Sequence, residues 1–241
     1  MKLYILPVEK ICKGKCKWCI TKYRKTAKVN FLNINDLRDK LEVEKFDNIE
    51  ITGGGDPTSH PDLDKIINSC AQHAPTHMYT HGDGISKFNS LNKLERLCVS
   101  IAHYDLEINR QIMGTFPELE FIKNLNIPVK FSLLVHKSGI NNIEEMLKYF
   151  RWAEDFTNSI VVRQLFDEDY SGKMEGEFIS TMNLFKTLEI RDYQLTKQRN
   201  PIFSIGNMHI EMEYRSCACE MSNPVLHADG KLYRGWTMEE L

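Results

Sequence analysis

Apolar and polar positions follow two periods in turn along the first two thirds of the chain. Short apolar runs have the length and β-branched content of buried strands: LYILPV at 3–8, NIEIT at 48–52, HMYTH at 77–81, RLCVSIAHY at 96–104, VKFSLLV at 129–135 and SIVVRQLF at 159–166. Between them apolar residues recur every three or four positions. That spacing predicts a helix capped by Asn35 and running to about Phe46, and one after Pro61 over DLDKIINSCAQH. It predicts further helices over ISKFNSLNKL, from Asp105 to Gly114, from about Pro117, and over NIEEMLKYFRWAEDF. Strands alternating with helices give an α/β fold with a parallel sheet. Six strands are too few for a closed eight-stranded barrel, so the expected architecture is a partial (β/α)6 barrel. Ligands bind such sheets at the carboxyl ends of the strands. The loop that starts near residue 10, the run Gly53-Gly54-Gly55 and the turn Thr80-His81-Gly82 therefore belong at one mouth.

The alternation stops after residue 167. DEDYSGKMEGE reads as a loop and FISTMNLFKTLEI as a helix, followed by the short strands IFSIG and MHIEMEY. In NPVLHADGKLYRGW, Asp229-Gly230 between two apolar pairs signals a β-hairpin. The expected organisation is a core over 1–167 and an extension over 168–241 that ends in this hairpin and covers the barrel mouth.

Composition is ordinary: 241 residues, 42% hydrophobic, 27% charged, formal net charge −2. No apolar run approaches the roughly 20 residues of a membrane span, and MKLYILPVEK has no signal-peptide pattern. A cytoplasmic protein without a membrane partner is expected. The seven cysteines are 12, 16, 19, 70, 98, 217 and 219, an odd count that argues against a disulfide framework. Residues 9–28 hold eight basic side chains and one acid, Glu9, which leaves the rest of the chain at −9. This run is either a solvated loop or a basic rim that attracts an anionic substrate or an acidic electron donor. The negative remainder weighs against nucleic acid as a partner.

Three cysteines crowd into Cys12-Lys-Gly-Lys-Cys16-Lys-Trp-Cys19. The CxxxCxxC spacing suits three irons of a 4Fe–4S cluster, with the fourth iron left open. The alternative is a zinc-stapled module that presents its basic loop to nucleic acid. Zinc would need a fourth ligand, and the nearest histidine, His60, has no paired spacing. The aromatic Trp18 stands just before the third cysteine, directly after a first strand, and Thr52-Gly53-Gly54-Gly55-Asp56-Pro-Thr follows the second strand. Together these resemble the radical SAM superfamily over residues 3–167. By itself the glycine run would be no more than a tight turn.

The resemblance implies one 4Fe–4S cluster on Cys12, Cys16 and Cys19, with S-adenosylmethionine chelated to the open iron through its amino and carboxylate groups. Reductive cleavage of the sulfonium then gives methionine and a 5′-deoxyadenosyl radical. It also implies cofactor contacts from Trp18, Gly53, Gly54, Gly55 and Asp56, where the family more often has glutamate, and from Ser100 and His81. Read from the residues alone, Ser100 equally fits a buried serine bonded to backbone, and His81 a turn cap.

Three residues are candidates for the substrate side. Arg163, in an apolar strand, needs an anionic partner: a substrate carboxylate or phosphate, or nearby Asp167 or Glu168. Tyr233 and Trp236 on the hairpin suit stacking on a ring, or packing of the hairpin itself. Cys217 and Cys219 vaguely resemble extensions that hold auxiliary clusters. Gly235 and Trp236 occupy the end where such hairpins carry a further cysteine, so a degenerate extension without a second cluster is expected. Nothing resembles a flavin or nicotinamide site, which implies an external flavodoxin or ferredoxin. The expected substrate is small and polar or anionic, such as a nucleotide-like metabolite; a peptide is the alternative.

Overall fold

The computed structural model describes residues 1–16, 18, 19, 28, 30–165, 175–196, 199–213, 223–235 and 240. Six parallel strands pair in chain order: β1 (Lys2–Ile5), β4 (Asn48–Ile51), β5 (Thr76–Thr80), β6 (Arg96–Ser100), β7 (Val129–Val135) and β8 (Ser159–Gln164). Successive side chains of a strand point to opposite faces. One set, including Leu3, Ile5, Ile49, Ile51, Val99, Phe131, Leu133, Ile160 and Val162, forms the main core with residues of the helices. Complete burial of each such side chain contributes about 1.5–3 kcal/mol. The covering helices are α1 (Ile34–Val43), α2 (Leu63–His73), α3 (Leu106–Met113), α4 (Leu119–Lys123) and α5 (Ile143–Ala153). The alternate set, facing away from that core, includes Lys2, Glu50, His77, Tyr79, Cys98, Ser100, Lys130 and Arg163.

Three local expectations are corrected. Asn33, not Asn35, caps α1: its backbone is extended and its Oδ1 accepts from the Asn35 N–H at 2.8 Å. ISKFNSLNKL is two 3₁₀ turns, 85–87 and 90–93, rather than a helix. Its buried residues Ile85, Phe88, Leu91 and Leu94 recur every third position, the repeat of a 3₁₀ helix. The strand expected over 96–104 ends at Ser100, because the Asn109 side chain takes the Ala102 N–H at 2.8 Å and Asp105 caps α3.

The C-terminal elements are α6 (Thr181–Thr187), β9 (Gln194–Leu195), β10 (Pro201–Ile205), β11 (Met208–Glu213), β12 (Pro224–Leu226) and β13 (Leu232–Arg234). They extend the same sheet at both edges. β11 pairs in parallel with β8 and carries β10 and β9 beyond it, while β12 pairs in parallel with β1 and carries β13. The expected hairpin is thus present, with Gly230 in the left-handed region at φ +81. A separate ladder, β2 (Val8–Glu9) with β3 (Asn30–Phe31), closes the base of the cysteine loop. Asp167, Glu168, Cys217, Cys219 and Trp236 lie outside the described residues. No described helix is long and apolar enough to cross a membrane.

Candidate active site

The cysteine loop is held on the glycine run by backbone. Lys10 N–H donates to the Gly54 carbonyl at 2.6 Å and Asp56 N–H to the Ile11 carbonyl at 3.0 Å. The approach leaves no room for side chains: a Cβ on Gly55 would lie 2.1 Å from the Ile11 oxygen, and one on Gly54, itself at φ +110, 2.4 Å from that of Val8. Glycine is required there by contact and, at Gly54, by conformation as well. The far side of the loop rests on the end of α3, where Lys15 N–H donates to the Met113 carbonyl at 2.7 Å.

Cys12 is exposed, and Cys16 and Cys19 are half-buried. Gly14 N–H points at Cys12 Sγ at 3.1 Å, the kind of hydrogen bond that tunes a cluster thiolate. Desolvation first, then the Asp56 charge, pushes the Cys12 thiol up to about 12, and Cys16 and Cys19 add to the shift. A tetrahedral zinc needs all its ligands within about 2.0–2.3 Å, whereas a cubane takes one thiolate on each of three separate irons. Three thiolates match a cubane with one open iron and leave a tetrahedral zinc one ligand short.

Trp18 is turned into a small apolar cluster with Ala102, Ile112, Met113 and Leu165. Its ring lies 4.0 Å from the fully buried ring of His136, at the end of β7, and His136 Nδ1 lies 3.7 Å from Glu177. The aromatic before the third cysteine thus wedges the loop against β7.

Asp56 is buried, with its carboxylate bound to the end of β5. Oδ1 accepts from Thr58 N–H at 2.9 Å, Thr58 Oγ1 at 2.6 Å and Thr80 Oγ1 at 2.9 Å; Oδ2 accepts from His81 N–H at 2.8 Å. His81 Nδ1 accepts from Asp83 N–H at 3.1 Å, so the ring proton is on Nε2, 3.4 Å from Asp56 Oδ2. The same turn recurs after the neighbouring strands. His60 Nδ1 accepts from Asp62 N–H at 3.0 Å and His103 Nδ1 from Asp105 N–H at 2.9 Å. Three successive loops therefore share a His-x-Asp turn. Ser100 is half-buried at the carboxyl end of β6, in register with Ser132 of β7.

Arg163 faces Glu213, its register partner on β11, with Nε 3.0 Å from Oε2; its guanidinium also lies 5.9 Å from the Tyr79 ring centroid. Burial pulls the guanidinium pKa down, and Glu213, followed by Tyr79, outweighs it, so the net direction is up. The expected anion anchor already has a carboxylate. Two more ion pairs line the same face, Lys130–Glu211 at 3.0 Å and Lys2–Glu50 at 2.9 Å. Tyr233, expected to stack on a substrate ring, is buried against His227 at 4.4 Å, and its hydroxyl donates to Asp229 at 2.7 Å.

Sequence reasoning passed over Glu9, Asn30, His136 and Glu213. The lone acid in a basic run was the available signal for Glu9. For the other three the signal is a partner that only the sheet order reveals.

The fold is that of the radical SAM enzymes. The chain is similar to Streptococcus suis SuiB bound to S-adenosylmethionine, with a TM-score of 0.74 and 17% identity over 100% of this chain and 62% of that one. It is similar to SuiB bound to precursor peptide SuiA, with a TM-score of 0.71 and 15% identity over 97% and 58% of the two chains. It is also similar to native anSMEcpe with bound AdoMet, with a TM-score of 0.67 and 18% identity over 97% and 73%. The chain spans about three fifths of SuiB, and at these identities the likeness establishes the fold. No protein-family model and no curated protein matches the sequence.

Proposed function

We propose that this chain is a radical SAM enzyme. The observation that carries the reading is the docking of a three-cysteine loop on a glycine run, through two backbone hydrogen bonds, at the carboxyl ends of a parallel sheet. Cys12, Cys16 and Cys19 would hold a 4Fe–4S cluster, and the backbone of Gly53, Gly54 and Gly55 would receive the methionine end of S-adenosylmethionine. Bound there and reduced from outside, the pair would supply a 5′-deoxyadenosyl radical able to take a hydrogen atom from a substrate.

The chain's own groups then bind, orient and shield. Asp56 acts by position, tying the glycine run to β5 through Thr80 and His81. Trp18 and His136 hold the loop from the other side and exclude water there. The basic run over residues 10–28 suits an acidic flavodoxin or ferredoxin as electron donor.

On the substrate side, Lys2, Lys130 and Arg163 on the open face of the sheet each face a carboxylate, while Arg96 on the same face donates to His77 Nδ1 at 3.0 Å. Such a wall suits a polar substrate in which most charges are balanced. That favours a peptide as the second reading, and the fold shared with SuiB, solved with its precursor peptide, supports it.

Anaerobic reconstitution tests the proposal. The expected result is about four irons and four sulfides per chain, with dithionite-dependent formation of 5′-deoxyadenosine. Zinc in place of iron in anaerobically purified protein, or a loaded cluster without cleavage, overturns it.

A further inference from the structure

The C-terminal hairpin grips the base of the cysteine loop. The loop leaves the sheet at Glu9 and returns at Asn30, which face each other across the β2–β3 ladder. That ladder has two residue pairs, and an isolated short two-stranded ladder is at best marginally stable. The turn of the hairpin, 227–231, lies against it. Asn30 Nδ2 donates to the Ala228 carbonyl at 2.9 Å, and His227 Nδ1 stands 4.0 Å from Glu9 Oε2 with both residues buried.

The turn is itself fixed. Leu6 N–H donates to Leu226 at 2.8 Å, and His227 and Lys231 close the turn backbone. Gly230 sits so tightly on α1 that a Cβ there would lie 2.5 Å from Asp36 Oδ2. Glu9 also reaches the glycine run: its Oε2 lies 3.0 Å from where a Gly54 Cβ would stand. One turn, more than 190 residues along the chain from Asn30, therefore fixes both ends of the cysteine loop and, through Glu9, the surface on which that loop rests.

We propose that this hairpin turn is a positioning clamp for the cysteine loop, with Glu9, Asn30 and His227 as its working residues. Fixing the ends of a loop removes part of its conformational entropy before any ligand binds. Groups bonded directly to a metal ligand typically change metal affinity about 10–100-fold when removed, and a clamp one step further out belongs at the low end of that range. The inference rests on the reading that the loop carries a cluster, but its first test does not.

In the full-length apo chain, Asn30→Ala and Glu9→Gln should each speed amide exchange about tenfold or more in peptides covering 8–16. The β7 peptide 129–135 should be unchanged, and Lys231→Ala, on the exposed side of the same turn, should behave as wild type. After anaerobic loading, both clamp variants should lose iron to EDTA about tenfold faster. Glu9→Gln should also shift the paramagnetic signature of the reduced cluster. Wild-type exchange and iron retention in both variants overturn the clamp. So does equal acceleration in β7, which would show only general support of the fold. If wild-type protein takes up no iron, the cluster reading fails, and exchange alone decides the clamp.

Discussion

Asp56 and His81 meet at one oxygen: the His81 backbone N–H donates to Asp56 Oδ2 at 2.8 Å, and the His81 ring Nε2 lies 3.4 Å from the same oxygen without a hydrogen bond to it. With Thr58 and Thr80 on Oδ1, the carboxylate ties the glycine run to the end of the next strand. Asp56→Ala should therefore destabilise the apo chain by about 1–3 kcal/mol, since buried donors lose a charged acceptor. Asp56→Glu should not be neutral either, because an added methylene in a packed site typically costs about 1–3 kcal/mol. Urea unfolding followed by circular dichroism reads both. An Asp56→Ala chain as stable as wild type would remove the carboxylate from its structural role.

The glycine run makes a sharper, position-specific prediction. A methyl group on Gly55 would meet the Ile11 carbonyl at 2.1 Å, whereas one on Gly53 has its nearest neighbour, the Gly55 oxygen, at 3.9 Å. Gly55→Ala should push the cysteine loop off its seat and abolish iron uptake on reconstitution. Gly53→Ala should load iron normally. Equal loading of the two variants would mean that the loop does not need this close approach.

How much of this was legible in the sequence varies with the range of the interaction. The six parallel strands could be read because each carries its own apolar run, and the hairpin because Asp229-Gly230 declares its turn. The three His-x-Asp turns were also in plain view at 60–62, 81–83 and 103–105, but the residues alone set His60 aside as a metal ligand and left His81 between a cofactor contact and a turn cap. Only the geometry shows each Nδ1 occupied by a backbone N–H. The pairings of Arg163 with Glu213 and of Glu9 with His227 depend on β11 and β12 joining opposite edges of one sheet. No local pattern encodes that choice. Helix over 85–94 was overestimated because a three-residue apolar repeat also satisfies part of a helical period.

Two of those turns make stability depend on pH. Burial lowers the pKa of His60, against the Leu32 carbonyl that raises it, and burial likewise lowers that of His103 against Asp105. A histidine depressed in the folded state takes up more protons when unfolded, so stability rises with pH across the gap. The contribution is complete above the ordinary value near 6.5 and is lost as pH falls through 6.5 towards the folded values. Asparagine can accept the same i+2 N–H without titrating. The His60→Asn, His103→Asn double variant should therefore show a flatter stability profile between about pH 6.5 and 5. An acid limb as steep as that of wild type would mean that other groups control it.

The ion pair of Arg163 with Glu213 separates a wall contact from a substrate contact. The Arg163 Nε that meets Glu213 is buried, although its side chain as a whole is 36% exposed and that of Glu213 19%, so Arg163→Met, which strips a largely buried carboxylate of its cation, should cost about 1–3 kcal/mol. If the pair meets substrate at the mouth, Arg163→Met should abolish substrate-stimulated turnover, while 5′-deoxyadenosine still forms without substrate. Exchanging the two charges, with Arg163→Glu and Glu213→Arg together, should rebuild the pair across β8 and β11 and restore the original stability. It should not restore turnover, because a bound substrate would then meet each charge in the wrong place. Recovery of turnover in the exchanged variant would show that the pair only holds the wall. Loss of substrate-free SAM cleavage in Arg163→Met would place the guanidinium with the cofactor instead.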